Sequence, residues 1–141
     1  MENKIYDVII LGSGPAGLTA AIYTTRADLK TLLIAGVKWG GQLQLTSLVE
    51  NFPGFPEGIQ GPDLMTNMRK QAEHFGTEFI DNDFESVDFS KKPFEITVAG
   101  KVYQGKSVII ATGADTKWLD VLGEKERIGR GVSSCAPCDA V

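Results

Sequence analysis

The sequence predicts an α/β fold in which a parallel sheet of buried strands carries helices, with a small antiparallel meander added late in the chain. Three observations predict it. Residues 6–11 (Tyr-Asp-Val-Ile-Ile-Leu) and 31–35 are short β-branched and aliphatic runs without strict alternation, as expected of strands covered on both faces. A helix-length segment of small and apolar residues lies between them, so strand, helix and strand follow within about 30 residues, the βαβ unit with parallel strands and a right-handed crossover. A second helical stretch and a group of short extended runs come afterwards.

Taken in order, the strand 6–11 ends at once in glycines. Pro15 then presets a backbone angle where a helix can begin, and residues 16–26 have good helical propensity. Residues 36–61 are rich in glycine, proline and polar side chains, including Gly40-Gly41, Pro53-Gly54 and Gly61-Pro62, and read as one long loop; loops of that length in compact domains are usually functional. Residues 62–75 place Leu64, Met65, Met68 and Ala72 at helical spacing, with Gly76 where a left-handed cap would sit. Extended runs follow at 78–80, 84–89, 94–98 and 101–103, the last two forming a hairpin around Ala99-Gly100, and residues 107–111 return to a buried strand. From 115 to 131 the pattern weakens into a linker that leads to two closely spaced cysteines.

The chain has 141 residues, 43% of them hydrophobic, and a formal charge of -4. Its mean hydropathy is -0.04 and its isoelectric point about 5.0. This is the profile of a soluble globular domain. Without a stripe of Lys or Arg to offset polyanion repulsion, nucleic-acid binding is set aside, and no segment suggests a membrane. The polar residues 1–4 and the short apolar run 8–11 do not make a signal peptide, so a cytoplasmic location is the default expectation. In that compartment two nearby cysteines point to catalysis or metal binding. Two Cys and the single, distant His74 fall short of the four ligands of a structural zinc site, so no metal is expected.

Chemistry is concentrated in two places. In Gly12-Ser13-Gly14-Pro15-Ala16-Gly17 the first glycine permits a tight turn, the second lets a pyrophosphate approach the backbone, and the third lets helix and strand pack closely. Free amides and the helix dipole then favour an anion without a basic side chain. One part of this dinucleotide fingerprint is missing: the acid expected at the end of the second strand falls near Ala35 or Gly36, neither of which has a side chain to bond a ribose hydroxyl. Asp28 precedes the strand and reads as a surface charge. Ribose contacts are therefore expected from the loop 36–43, where Gln42 offers both donor and acceptor. The second place is the pair Cys135 and Cys138, a redox-capable dithiol. Trp39 either covers the ligand or packs, His74 reads as a surface or capping residue, and Trp118 as an anchor for the linker.

Gly-Ser-Gly-Pro-Ala-Gly at 12–17, Gly-Gly-Gln-Leu at 40–43, Glu-Asn-Phe-Pro-Gly at 50–54, Ala-Thr-Gly at 111–113 and Cys-Ala-Pro-Cys-Asp at 135–139 together resemble the low-molecular-weight thioredoxin reductases, within the flavoprotein pyridine nucleotide-disulfide oxidoreductases. The likeness runs along the whole chain. It implies a three-layer, Rossmann-like FAD/NAD(P)-binding fold. It also implies that FAD is bound by Gly12, Ser13, Gly14, Pro15, Ala16 and Gly17, then by Ala35, Gly36, Gly40, Gly41, Gln42 and Leu43, and by Asn51, Phe84, Ala111, Thr112 and Gly113. Cys138 would face the flavin, Cys135 would attack the partner's disulfide, and Asp139 would move the proton. Ala136-Pro137 departs from the family's commoner Ala-Thr, and a proline there alters backbone freedom between the sulfurs.

The resemblance divides the chain into 1–114, the first segment of an FAD-binding domain, and 115–141, a linker and the start of an NAD(P)-binding domain carrying the thiols. The implied activity passes electrons from NAD(P)H through FAD and the dithiol to thioredoxin or a thioredoxin-like protein, in a homodimer whose NADPH site lies outside this chain. The 141 residues alone are expected to be inactive. Two other readings remain open: a related flavoprotein with ferredoxin as donor or a peroxiredoxin system as acceptor, and a non-catalytic flavin-binding module.

Overall fold

The computed structural model describes residues 4–135. Strand β1 (Ile5–Leu11), helix α1 (Pro15–Arg26) and strand β2 (Thr31–Ile34) form the expected βαβ unit, with β1 and β2 parallel. After a 3-10 turn at Gly41–Leu45 come β3 (Leu48–Val49) and β4 (Ile59–Gln60), α2 (Gly61–His74), β5 (Glu78–Ile80), β6 (Phe84–Asp88), β7 (Phe94–Val98) and β8 (Lys101–Ile110). The main sheet has the order β5-β2-β1-β8-β7-β6, parallel from β5 to β8 and antiparallel through β7 and β6.

Three layers result. On one face Val8, Ile10, Leu33 and Ala35 pack against Leu18, Ala21 and Ile22 of α1 and Leu64, Met65, Met68 and Ala72 of α2. On the other, Tyr6, Ile9, Leu11, Leu32 and Ile34 pack against Ile96 and Val98 of the meander. Strands β1 and β2 are covered on both sides, which explains their lack of alternation. Every such fully buried aliphatic side chain contributes about 1.5–3 kcal/mol through removal from water.

Two details differ from the sequence reading. The runs 101–103 and 107–111 are one strand, β8, whose first half pairs with β7 and whose second half pairs with β1. Gly105 in its middle is not a break. A Cβ there would lie 2.9 Å from Cγ1 of Ile9, so the glycine allows β8 to pass close to the Ile9 side chain. The loop 36–61 also contains more order than its composition implies, because β3 and β4 pair antiparallel within it. Gly76, as expected, takes a left-handed φ of 93° and its N–H bonds the Glu73 carbonyl.

The registry places the site. Leu11 is aligned with Ile34 on one side and Ile110 on the other, so the carboxyl ends of β1, β2 and β8 finish level. The loops that leave them meet outside the sheet, where open α/β sheets bind ligands.

Candidate functional site

The glycine turn between β1 and α1 is locked by close contacts. Gly12 has a φ of 105°, and a Cβ on it would fall 2.3 Å from the Ala111 carbonyl oxygen; one on Gly17 would fall 2.0 Å from the Gly12 carbonyl oxygen. These two glycines therefore serve packing of turn, helix and β8 end. Gly14 is different. It forms the N-cap of α1 in an extended conformation, and a Cβ there would meet nothing within 4 Å. Its open side is the side from which a ligand can approach the backbone.

A cleft of about 930 Å³ opens over this turn. Its floor is formed by Gly12, Ser13, Gly14, Pro15 and Ala16, one wall by Ala35 and the loop through Val37, Lys38, Trp39, Gly41, Gln42 and Leu43, and the other by Ala111, Thr112, Gly113 and Ala114. Lys38 and Asp115 are its charged lining residues. The first turn of α1 carries no acidic residue and its N-cap makes no side-chain hydrogen bond, so the amides of that turn and the dipole face the cleft without a competing anion on the helix itself. This volume, bare backbone and uncapped helix start fit a dinucleotide such as FAD, with its pyrophosphate over Gly14.

Ser13 does more than the fingerprint implies. Its hydroxyl is buried, donates to the Ala35 carbonyl at 2.7 Å and accepts from the Gly40 N–H at 2.9 Å. One oxygen thus ties the turn to the end of β2 and to the loop wall. Gln42 closes the cleft from above, its Nε2 donating to the Ala114 carbonyl at 3.3 Å. Trp39 both packs against the core and lines the cleft. Behind it stands Arg69 of α2, with its guanidinium 5.0 Å from the Trp39 ring and 4.6 Å from the Phe79 ring. Two bonds to Asp81, at 2.8 and 2.9 Å, and one to Glu73 at 3.0 Å hold it there. Hydrogen bonding to Asp81 is the main cause that raises the Arg69 pKa above its ordinary value.

Other expected residues lie apart. Asn51 lines a separate hollow of about 360 Å³ between β3 and β4, with Glu50, Phe52 and Pro53 among its neighbours. Phe84 begins β6 and is 37% exposed, outside the cleft lining. Gly36 is also outside the lining but adjoins it, with the carboxylate of Asp83 beside its Cα. His74 ends α2 with its ring 5.2 Å from Phe75. Trp118 is half-buried in the segment after β8. That segment has an anchor that its composition does not reveal: Glu124, 5% exposed, accepts the N–H groups of Leu119 and Asp120 at 3.1 and 2.7 Å.

Cys135 is disulfide-bonded. Its N–H donates to the Ser133 hydroxyl at 3.0 Å. Cys138 and Asp139 lie outside the described residues. Among the described residues no group of three or more His, Cys, Asp or Glu is arranged to hold a metal, and no helix is long and apolar enough to cross a membrane.

Residues 6–141 match the pyridine nucleotide-disulphide oxidoreductase family. The chain is 56% identical over 133 residues to a thioredoxin reductase of Rickettsia felis, covering 94% of this chain and 43% of that protein. It is 51% identical over 138 residues to a thioredoxin reductase of Listeria monocytogenes, covering 98% of this chain and 43% of that protein. A solved thioredoxin reductase from Giardia duodenalis superposes with a TM-score of 0.87 at 44% identity, over 98% of this chain and 45% of that one. The chain thus spans less than half the length of the relatives it matches. With a match that begins in β1 and runs through every loop of the cleft, the chain belongs to the pyridine nucleotide-disulphide oxidoreductase family.

Proposed function

We propose that this chain is the FAD-binding and dithiol-bearing portion of a thioredoxin reductase. The observation that carries the reading is the union, in one chain, of a dinucleotide cleft built on the Gly12 to Gly17 turn and a disulfide-bonded Cys135. FAD, when bound, supplies a two-electron carrier between a nicotinamide and the cysteine pair. The chain's own residues divide the remaining work. Gly14 and the first amides of α1 hold the pyrophosphate, the Ser13 hydroxyl sets the loop wall, and Ala111, Thr112 and Gly113 bound the cleft on the other side. Asn51, in its separate hollow, and Phe84, outside the cleft lining, are carried as further FAD contacts by the family resemblance alone. Cys138 takes the electron pair from the flavin side, Cys135 as a thiolate attacks the disulfide of thioredoxin, and Asp139 moves the proton that two thiols must gain or lose.

In this reading residues 1–114 belong to the FAD domain and 115–141 lead into an NADPH-binding domain. The protein works as a cytoplasmic homodimer, and the 141 residues do not turn over alone. The names of the Rickettsia, Listeria and Giardia relatives support disulfide reduction over a non-catalytic flavoprotein.

The test is reduction of oxidised thioredoxin by the intact protein with NADPH. Wild type is expected to turn over, while Cys138→Ser keeps flavin bleaching by NADPH and loses disulfide reduction. A wild-type protein that binds flavin yet leaves thioredoxin oxidised contradicts the function. Loss of bleaching in Cys138→Ser contradicts the order of transfer.

A further inference from the structure

We propose that Asp83, from the turn between β5 and β6, supplies the ribose-binding carboxylate that the end of β2 lacks. The inference rests on the dinucleotide reading of the cleft and names the group that reads its ribose. Glycine turns of this kind work with an acid at the end of the second strand, which accepts from the ribose hydroxyl. Here that place is held by Ala35 and Gly36.

The structure puts a carboxylate there by another route. β5 runs parallel to β2, with Ile34 aligned with Ile80, and the Ala35 N–H bonds the Ile80 carbonyl at 2.8 Å, so the two strands end together. Three residues beyond Ile80, in the connection to β6, Asp83 Oδ1 accepts the Val37 N–H at 3.1 Å. A Cβ built on Gly36 would lie 2.9 Å from that same oxygen. The Asp83 carboxylate thus occupies the space that a side chain at position 36 would fill, and the bare Gly36 is what admits it. Val37 lines the cleft, so its hydrogen bond sets the Asp83 carboxylate directly behind that lining, of which Asp83 itself is not a member.

Of the other acids, Asp115 lines the opposite wall of the cleft beside Ala114 and accepts the Thr116 N–H at 2.8 Å. Asp81 is engaged by Arg69, and Glu85 accepts the Gly100 N–H at 3.1 Å. Asp83 Oδ2 has no hydrogen-bond partner among the described residues. An ionised carboxylate only accepts, and its two oxygens suit the adjacent hydroxyls of a ribose. Its charge opposes a phosphate on that ribose. The site is therefore selective for a dinucleotide with an unphosphorylated adenosine ribose, as in FAD.

The experiment titrates flavin-free intact protein, wild type and Asp83→Asn, with FAD and with the FAD analogue whose adenosine carries a 2′,3′-dideoxyribose. Asparagine keeps an oxygen for the Val37 N–H and removes the charge. Asp83→Asn is expected to bind FAD about tenfold to a hundredfold more weakly than wild type, the range of a hydrogen bond to a charged group. The analogue is expected to bind both proteins alike, and to bind wild type about tenfold more weakly than FAD does. Equal FAD affinity in the two proteins, or no penalty for the analogue on wild type, overturns the role of Asp83 while leaving the cleft assignment standing. Failure of wild type to bind FAD at all overturns the cleft assignment itself. The comparison of FAD with its analogue on wild type holds even should the variant misfold.

Discussion

Removing the Ser13 hydroxyl leaves the Gly40 N–H and the Ala35 carbonyl without the partner they share. Both groups sit where water has little access, since Ser13 is 4% exposed and Gly40 is buried. An unsatisfied buried polar group costs about 1–3 kcal/mol, so Ser13→Ala is expected to lower stability to urea by that amount and to weaken FAD binding as the loop wall loosens. An unchanged urea midpoint would show that the hydroxyl is replaceable. The glycines around Ser13 were legible from spacing alone, because the fingerprint encodes their backbone demands. The strut was not, because it depends on a partner 27 residues away in a loop that has no pattern of its own. Asp83 was hidden for the same reason: its link to Val37 spans 46 residues.

Helix α2 shows what periodicity can and cannot carry. Leu64, Met65, Met68 and Ala72 mark its buried face correctly, and all four are in the core. Arg69 lies outside that stripe, yet its side chain is only 18% exposed and its guanidinium stands over Trp39 and Phe79. The ion pair itself contributes little, because Asp81 is 53% exposed and solvent screens it. The stacking on two rings is the larger part. Arg69→Met is therefore expected to cost about 1 kcal/mol and, in a Trp118→Phe background, to shift Trp39 emission to longer wavelength as the ring gains water. Unaltered emission would mean that Trp39 is held by the core alone. Strand β8 shows the opposite failure. Gly105 interrupts its hydrophobic pattern, and only the proximity of Ile9 explains why a strand accepts a glycine there.

Across the whole molecule, carboxylates stabilise the fold toward neutral pH. The hydrogen bond from Lys4, then that from Tyr6, lowers the Glu78 pKa against its partial burial. Lys106 lowers Asp7, Ser90 lowers Asp88 and Lys91 lowers Glu95. A depressed folded-state pKa means that the unfolded chain takes up protons first as pH falls. The stabilisation is present above the ordinary values of 4.5 for Glu78 and 3.8 for Asp7, and is lost as pH drops through the lower folded values. Urea midpoints are expected to begin falling at about pH 5.5 and to go on falling below about pH 3.5, and Glu78→Gln is expected to flatten part of that slope. A slope unchanged by the substitution would assign the acid sensitivity to other groups.

The same molecule makes one turn serve both packing and binding, and Gly14 separates the two. A methyl group there meets no protein atom within 4 Å, whereas one on Gly12 or Gly17 collides with backbone. The most direct measurement is FAD affinity of intact Gly14→Ala, read by flavin fluorescence beside its urea midpoint. The account predicts a midpoint close to that of wild type and FAD binding weakened at least about tenfold, because the added methyl stands where the pyrophosphate must approach. Wild-type affinity in Gly14→Ala would contradict it, and the cleft over this turn would not be where the flavin sits.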